Sequence, residues 1–246
     1  MPSTRAVEVL PNPDALFDAA AKEFVAVGNA AIAARGRFTV ALAGGSTPKS
    51  LYSLLAKNHA RFNWRQTFIF FGDERHVPPD SPDSNYGMVN EALLSKITIP
   101  SKNVHRVRAE NRDAHAAAAE YEEDIRQFFQ PKRDEFPRFD LILLGMGGDG
   151  HTASLFPDSQ ALKEQNRFFV ANWIIKFNAY RLTLTFPVLN HASEVVFLVK
   201  GADKADMALH VLEGENRPPF PSQRVRPNDG KLLWMLDEAA ADRLSS

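Results

Sequence analysis

Phe139-Asp140-Leu141-Ile142-Leu143-Leu144-Gly145-Met146-Gly147-Gly148-Asp149-Gly150-His151-Thr152-Ala153-Ser154-Leu155-Phe156-Pro157 runs an apolar segment straight into a glycine-rich turn that carries an acid and a histidine. Phe139 to Leu144 is apolar apart from Asp140 and rich in β-formers, which predicts a buried strand. Gly145, Gly147, Gly148 and Gly150 then crowd four glycines into six residues, as a backbone does where it turns sharply or approaches a ligand closely. Asp149 and His151 are the only titratable groups of that turn. A neutral imidazole takes a proton from water near pH 7, and a neighbouring carboxylate holds its tautomer and stabilises the imidazolium formed. The pair therefore predicts a catalytic site with His151 as the base.

Working outward, the same order of strand, glycine turn and helix recurs upstream. Phe38 to Ala43 predicts a strand, Gly44-Gly45-Ser46-Thr47-Pro48 a turn, and Leu51, Leu54 and Leu55 the apolar face of a helix. Thr67 to Phe71 predicts another strand, entering Gly72-Asp73-Glu74-Arg75 and a proline-rich loop before a helix around Tyr86 to Leu94. At the amino-terminal end a strand near Val7 to Leu10 precedes Asn12-Pro13-Asp14, with Asn as cap and Pro at the first helical position, and a long alanine-rich helix to Gly36. Strands are further predicted at Val104 to Val107, Arg181 to Thr185 and Val195 to Val199, and helices at Ala114 to Phe129 and Lys204 to Leu212.

This alternation implies an α/β fold: a mostly parallel, Rossmann-like sheet with helices on both faces. Pro131 to Arg138 and Arg217 to Gly230 read as loops, and neither separates halves of different composition, so residues 1–246 are read as one domain without repeats. In such sheets ligands sit beyond the carboxyl ends of the strands, and the polar turns all follow strands.

Composition narrows the function. A formal net charge of −1 gives no general attraction to nucleic acid or to an acidic membrane, so anions must be met by local basic groups. With no cysteine, disulfides, thiolate metal sites and cysteine nucleophiles are excluded, which suits the cytoplasm. No apolar run approaches the roughly 20 residues of a membrane span, and the first residues do not read as a signal peptide.

Gly145, Gly147 and Gly150 satisfy G-x-G-x-x-G, yet a dinucleotide fingerprint needs a helix of several turns after it, and Pro157 stands too close. The seven histidines are scattered without a zinc-like spacing, so no metal is expected. Gly44 to Pro48 ends a strand and opens a helix, offering free N–H groups and the positive end of the helix to an anion. It lacks the lysine of a P-loop, so the anion is a phosphate other than a nucleoside triphosphate. Asp73 and Arg75 at a strand end suit a polyol hydroxyl and an anionic oxygen, and Arg181 and Lys200 are further cations of the kind a phosphorylated ligand needs.

Together these segments, with Ser84-Asn85-Tyr86, Arg181-Leu182-Thr183-Leu184-Thr185, Val199-Lys200-Gly201 and Leu233-Trp234-Met235-Leu236-Asp237, resemble the 6-phosphogluconolactonase family over nearly the whole chain and in the expected order. The resemblance implies one α/β domain of the type shared with glucosamine-6-phosphate deaminases and ribose-5-phosphate isomerases. It implies hydrolysis of 6-phospho-D-glucono-1,5-lactone in the oxidative pentose phosphate pathway, without redox cofactor or obligatory metal. His151 would activate water with Asp149 beside it, while Gly44, Gly45, Ser46, Thr47, Asp73, Arg75, Gly148, Arg181 and Lys200 would line the phosphosugar pocket. The N–H groups of the glycine turn are candidate donors to the oxyanion at C1. The implied partner is a small phosphosugar lactone, with no nucleic acid and no membrane, bound by a cytoplasmic monomer or homodimer. Asn172 to Tyr180 departs from the family pattern. The related deaminases carry a Glu-Pro pair shortly after the histidine, where this chain has Leu155-Phe156-Pro157 and no acid. A phosphosugar sensor with a DNA-binding module is disfavoured, since no helix-turn-helix fits before the first strand and helix.

Overall fold

The computed structural model describes residues 4–58 and 62–245. In chain order it contains β1 (Thr4–Leu10), α1 (Pro13–Arg35), β2 (Phe38–Leu42), α2 (Ser46–Asn58), β3 (Thr67–Phe71), β4 (Asp73–Arg75), α3 (Asn85–Ala92), α4 (Ala114–Phe129), β5 (Leu141–Gly145), β6 (Phe169–Ile174), β7 (Ala179–Leu184), α5 (Phe186–Leu189), β8 (Glu194–Val199), α6 (Ala205–Leu212), β9 (Lys231–Asp237) and α7 (Glu238–Ala241). The local signals act as predicted in the long helices. Asn12 accepts the Ala15 N–H at 2.9 Å to cap α1, and Gly36 ends it with φ of 72° and an N–H bond to Ile32 O.

Six strands form one parallel sheet in the order β1-β9-β8-β5-β2-β3. Strand alternation shows that helices cover both of its faces. Phe38 pairs with Thr67 in the β2–β3 register and packs edge-on against Phe24 of α1, whereas Phe70, three residues past Thr67, lies on the opposite face against Phe128 of α4. One apolar cluster runs through both layers, and each phenylalanine fully buried in it contributes about 1.5–3 kcal/mol. No helix among the described residues is long and apolar enough to cross a membrane.

The chain order reverses between β2 and β5: β3 lies on one side of β2, and β5, β8 and β9 continue on the other. That switch point is where an open parallel sheet leaves a crevice. Here the two strands share only the pairs Val40↔Leu141 and Ala41↔Ile142. At their amino ends Asp140 ties them together, accepting from Thr39 N at 2.8 Å and Thr39 Oγ1 at 2.9 Å and pairing with Arg35. Beyond Ala41 they diverge.

Three local expectations are corrected. Val104 to Val107 is no strand: only Val104 bridges to Ile69, after which the His105 carbonyl is taken by the Tyr121 hydroxyl instead of a neighbouring strand. Asp73 to Arg75 is a strand and not a turn. The strand around Arg181 does not join the parallel sheet. Instead β4, β7 and β6 form a separate antiparallel sheet, anchored where Leu184 N donates to Gly72 O.

At the edge of the main sheet opposite the polar turns, Glu194 opens β8, buried beside Lys231 and facing Glu23 of α1. Burial and the Glu23 carboxyl push its pKa from 4.5 up to about 7. Between those values the folded protein holds a proton that the unfolded chain has released, so stability is full at the acid end and declines as pH rises through 7. Glu194→Gln has no proton to lose, and it is expected to melt ~2–6 °C above the parent at pH 8 with the gap closing toward pH 5. Thermal melts at the two pH values check this, since an equal gap at both would point to packing and not to ionisation.

Candidate active site

Four strand ends of the parallel sheet deliver the site. After β2 the chain turns through Gly44 and Gly45, the latter at φ of 101°, into α2. After β3 it passes Gly72 into β4, after β5 it enters the glycine turn, and after β8 it reaches Lys200. Between them lies a cavity of about 320 Å³ whose wall includes Gly44, Gly45, Ser46, Thr47, Asp73, Arg75, His151, Arg181 and Lys200. Two predicted residues stand back from it: Gly148 does not line the cavity, and Asp149 lies behind His151.

The glycine turn is shaped around the histidine. Gly147 N donates to His151 O at 2.9 Å, and Gly150, at φ of 75°, donates to Gly147 O at 3.0 Å. A Cβ on Gly147 would stand 2.0 Å from His151 Nδ1, so the absence of a side chain there is what admits the ring. Phe156 stacks on the imidazole at 4.0 Å. Of the turn's candidate N–H donors, the Gly147 and Gly150 amides are spent inside the turn.

His151 Nδ1 lies 2.5 Å from Asp149 Oδ1. Burial by itself would raise the Asp149 carboxyl, but the hydrogen bond and charge of His151, its backbone N–H and Lys176 hold it below the ordinary carboxylate value. An ionised carboxylate only accepts, so Nδ1 is the donor to Asp149, and Nε2 is the ring nitrogen left for exchange of a proton with a substrate or water.

Arg75 and Arg181 face each other directly across the antiparallel β4–β7 pair. Like charges so placed repel, and neither guanidinium forms a salt bridge among the described residues. Burial first and Arg75 second lower the Arg181 pKa, and Arg181 Nε is buried without a hydrogen-bond partner. Two close cations without a salt-bridge partner, on one cavity wall with the amino end of α2, are chemically suited to hold an anion. Of the charged groups on the wall, Arg75, Arg181, Lys200 and Lys204 stand against Asp73 alone.

Several wall residues were not singled out from sequence. Phe177, at the tip of the β6–β7 hairpin, sits under the Arg181 guanidinium at 5.0 Å and edge-on to Phe156 at 5.6 Å. Ser154 and Asn85 fall within quoted motifs, but only their side-chain directions place them at the cavity. Glu74 orients Asn85 and α3: its buried carboxylate accepts from the N–H groups of Asn85 at 2.7 Å and Tyr86 at 2.8 Å, and burial raises its pKa.

Residues 11–234 match the family model described as glucosamine-6-phosphate isomerases/6-phosphogluconolactonase. A protein named 6-phosphogluconolactonase from Nostoc sp. is 42% identical over 243 residues, 98% of this chain and 99% of that one. Another of that name from Synechocystis sp. is 42% identical over 240 residues, 97% of this chain and 98% of its own. Among solved structures, 6-phosphogluconolactonase from Trypanosoma cruzi superposes with a TM-score of 0.89 at 32% identity, covering 100% of this chain and 99% of that chain.

Gly147→Ala is expected to drive the imidazole off Asp149 and to lower stability by about 1–3 kcal/mol through overpacking. Histidine-selective NMR with a parallel denaturant titration measures both effects.

Proposed function

The chain belongs to the glucosamine-6-phosphate isomerase and 6-phosphogluconolactonase family, and we propose that it hydrolyses 6-phospho-D-glucono-1,5-lactone to 6-phospho-D-gluconate with His151 as the base. The observation that carries this reading is that His151, backed by Asp149, lines the same cavity as the opposed Arg75 and Arg181. A base and a pair of cations lining one cavity suit a substrate that carries both a phosphate and a reacting carbonyl. The phosphate would lie against the arginine pair and the Gly44–Thr47 helix end, with Lys200 beside it.

In the reaction His151 Nε2 takes a proton as the water oxygen bonds to C1, and Asp149 stabilises the imidazolium. The C1 oxyanion gathers in a cavity whose wall is predominantly cationic, which favours it over the uncharged lactone carbonyl. When the bond from C1 to the ring oxygen breaks, the imidazolium returns its proton to that oxygen, leaving the open-chain acid. Phosphate binding contributes by positioning the ring. Deamination of an amino-sugar phosphate would call for a carboxylate just past the histidine, where Leu155 and Phe156 are buried apolar groups. A phosphorylated sugar does not cross membranes unaided, and a cytoplasmic location goes with such a substrate.

His151→Asn is expected to lower turnover by ~10² to 10⁴-fold while 6-phosphogluconate still binds. Proton release from freshly generated lactone measures the first and calorimetry the second; near-parental hydrolysis would sink the assignment of the base. Arg181→Met is expected to raise KM by ~10-fold or more and to weaken inhibition by inorganic phosphate in proportion. In the parent protein, ammonia release from glucosamine 6-phosphate without lactone hydrolysis would overturn the reading as a whole.

A further inference from the structure

Asp73 lines the cavity, yet its carboxylate is occupied by the protein. Oδ2 accepts from Ser154 Oγ at 2.7 Å and Oδ1 from Asn85 Nδ2 at 3.2 Å, and the residue is only 8% exposed. Asn85 Nδ2 also donates to Asp73 O at 2.9 Å. Asn85 Oδ1 is buried without a hydrogen-bond partner and lies against Gly44, where a Cβ would come within 1.8 Å of it. At the other end Ser154 is fixed through its backbone: its N–H donates to Thr183 Oγ1 at 3.2 Å and its carbonyl accepts from Asn172 Nδ2 at 2.9 Å. Ser154 stands three residues past His151. Hydrogen bonds therefore run from Asn85 through Asp73 to Ser154, all three buried, and Asn85 packs against the half-buried Gly44, so the line joins the helix end after β2 to the histidine loop after β5.

The sheet does not fix that distance, since β2 and β5 part after two register pairs. We infer that the line Gly44–Asn85–Asp73–Ser154 is a spacer that holds the anion seat and the His151 imidazole at the separation the substrate spans, with Asp73, Asn85 and Ser154 as positioning residues and not substrate contacts. This rests on the function proposed above. A phosphate anchored at one end speeds reaction at the other only if the carbonyl then falls within ~3–3.5 Å of the attacking water, and a 1 Å error costs ~10²-fold. Loss of the spacer should leave phosphate bound and the carbonyl misplaced, so the deficit falls on kcat more than on KM.

The test compares kcat/KM for 6-phosphogluconolactone with that for unphosphorylated glucono-1,5-lactone, the ratio being the advantage conferred by phosphate. In Ser154→Ala and Asp73→Ala this advantage is expected to fall by ~10 to 10²-fold, chiefly in kcat, while the inhibition constant for inorganic phosphate moves less than ~3-fold. Asp73→Asn keeps an acceptor for Asn85 Nδ2 and a donor for Ser154 Oγ, and should recover most of what Asp73→Ala loses. An Asp73→Asn protein as impaired as Asp73→Ala would show that the carboxylate acts on the substrate and overturn the spacer. So would an equal fall on both lactones. A parent protein with no hydrolysis of the phosphorylated lactone would overturn the proposed function itself, and the spacer with it.

Discussion

The ladder between β2 and β5 is two register pairs long, tied below by Asp140 and open above. The site depends on that short contact. Longer pairing would have kept the two strands together to their carboxyl ends and closed the crevice between the Gly44 turn and the glycine turn. A weaker tie at the base would have left the two halves of the sheet free to shift. Asp140 stands just before β5, and its burial is matched by hydrogen bonds from Thr39 and the charge of Arg35, as a buried carboxylate requires.

Opening a crevice in a parallel sheet supplies backbone and helix ends but few convergent side chains. The small antiparallel sheet supplies them. By laying β4 against β7 it brings Arg75 directly opposite Arg181, two like charges side by side. The same hairpin carries Phe177 over Phe156 and Lys176 to within 3.4 Å of Asp149. The arginine pair thus belongs to the small sheet and His151 to the turn after β5, and Asp73 of β4, bonded to Asn85 and Ser154, runs between the two.

Elements whose signals are local were legible in the sequence. Asn12 and Gly36 marked the ends of α1, Ala114–Phe129 was bounded as the structure has it, and the apolar runs of β2, β3, β5 and β8 each lie within a residue or two of their expected limits. Rejecting the dinucleotide fingerprint rested on Pro157, and no α-helix follows the glycine turn before β6. Val104 to Val107 misled because two valines around His105 and Arg106 carry a weak strand signal, and at the sheet edge only Val104 bridges before the His105 carbonyl bonds a tyrosine hydroxyl. Asp73 to Arg75 misled in the other sense: three charged residues carry no strand signal, and they form a strand because β7 is there to pair with them.

From the sequence alone came the alternation of strands and helices, the turns that would gather at one sheet edge, and the histidine and carboxylate two residues apart that could reach each other without help from the rest of the fold. Tertiary structure alone decided that Arg181 opposes Arg75 and that Asp73 is held by Asn85 and Ser154. The reason is separation along the chain. His151 and Asp149 meet through a turn whose geometry their own neighbours dictate, whereas Asp73 and Ser154 are 81 residues apart and meet only because two sheets pack together.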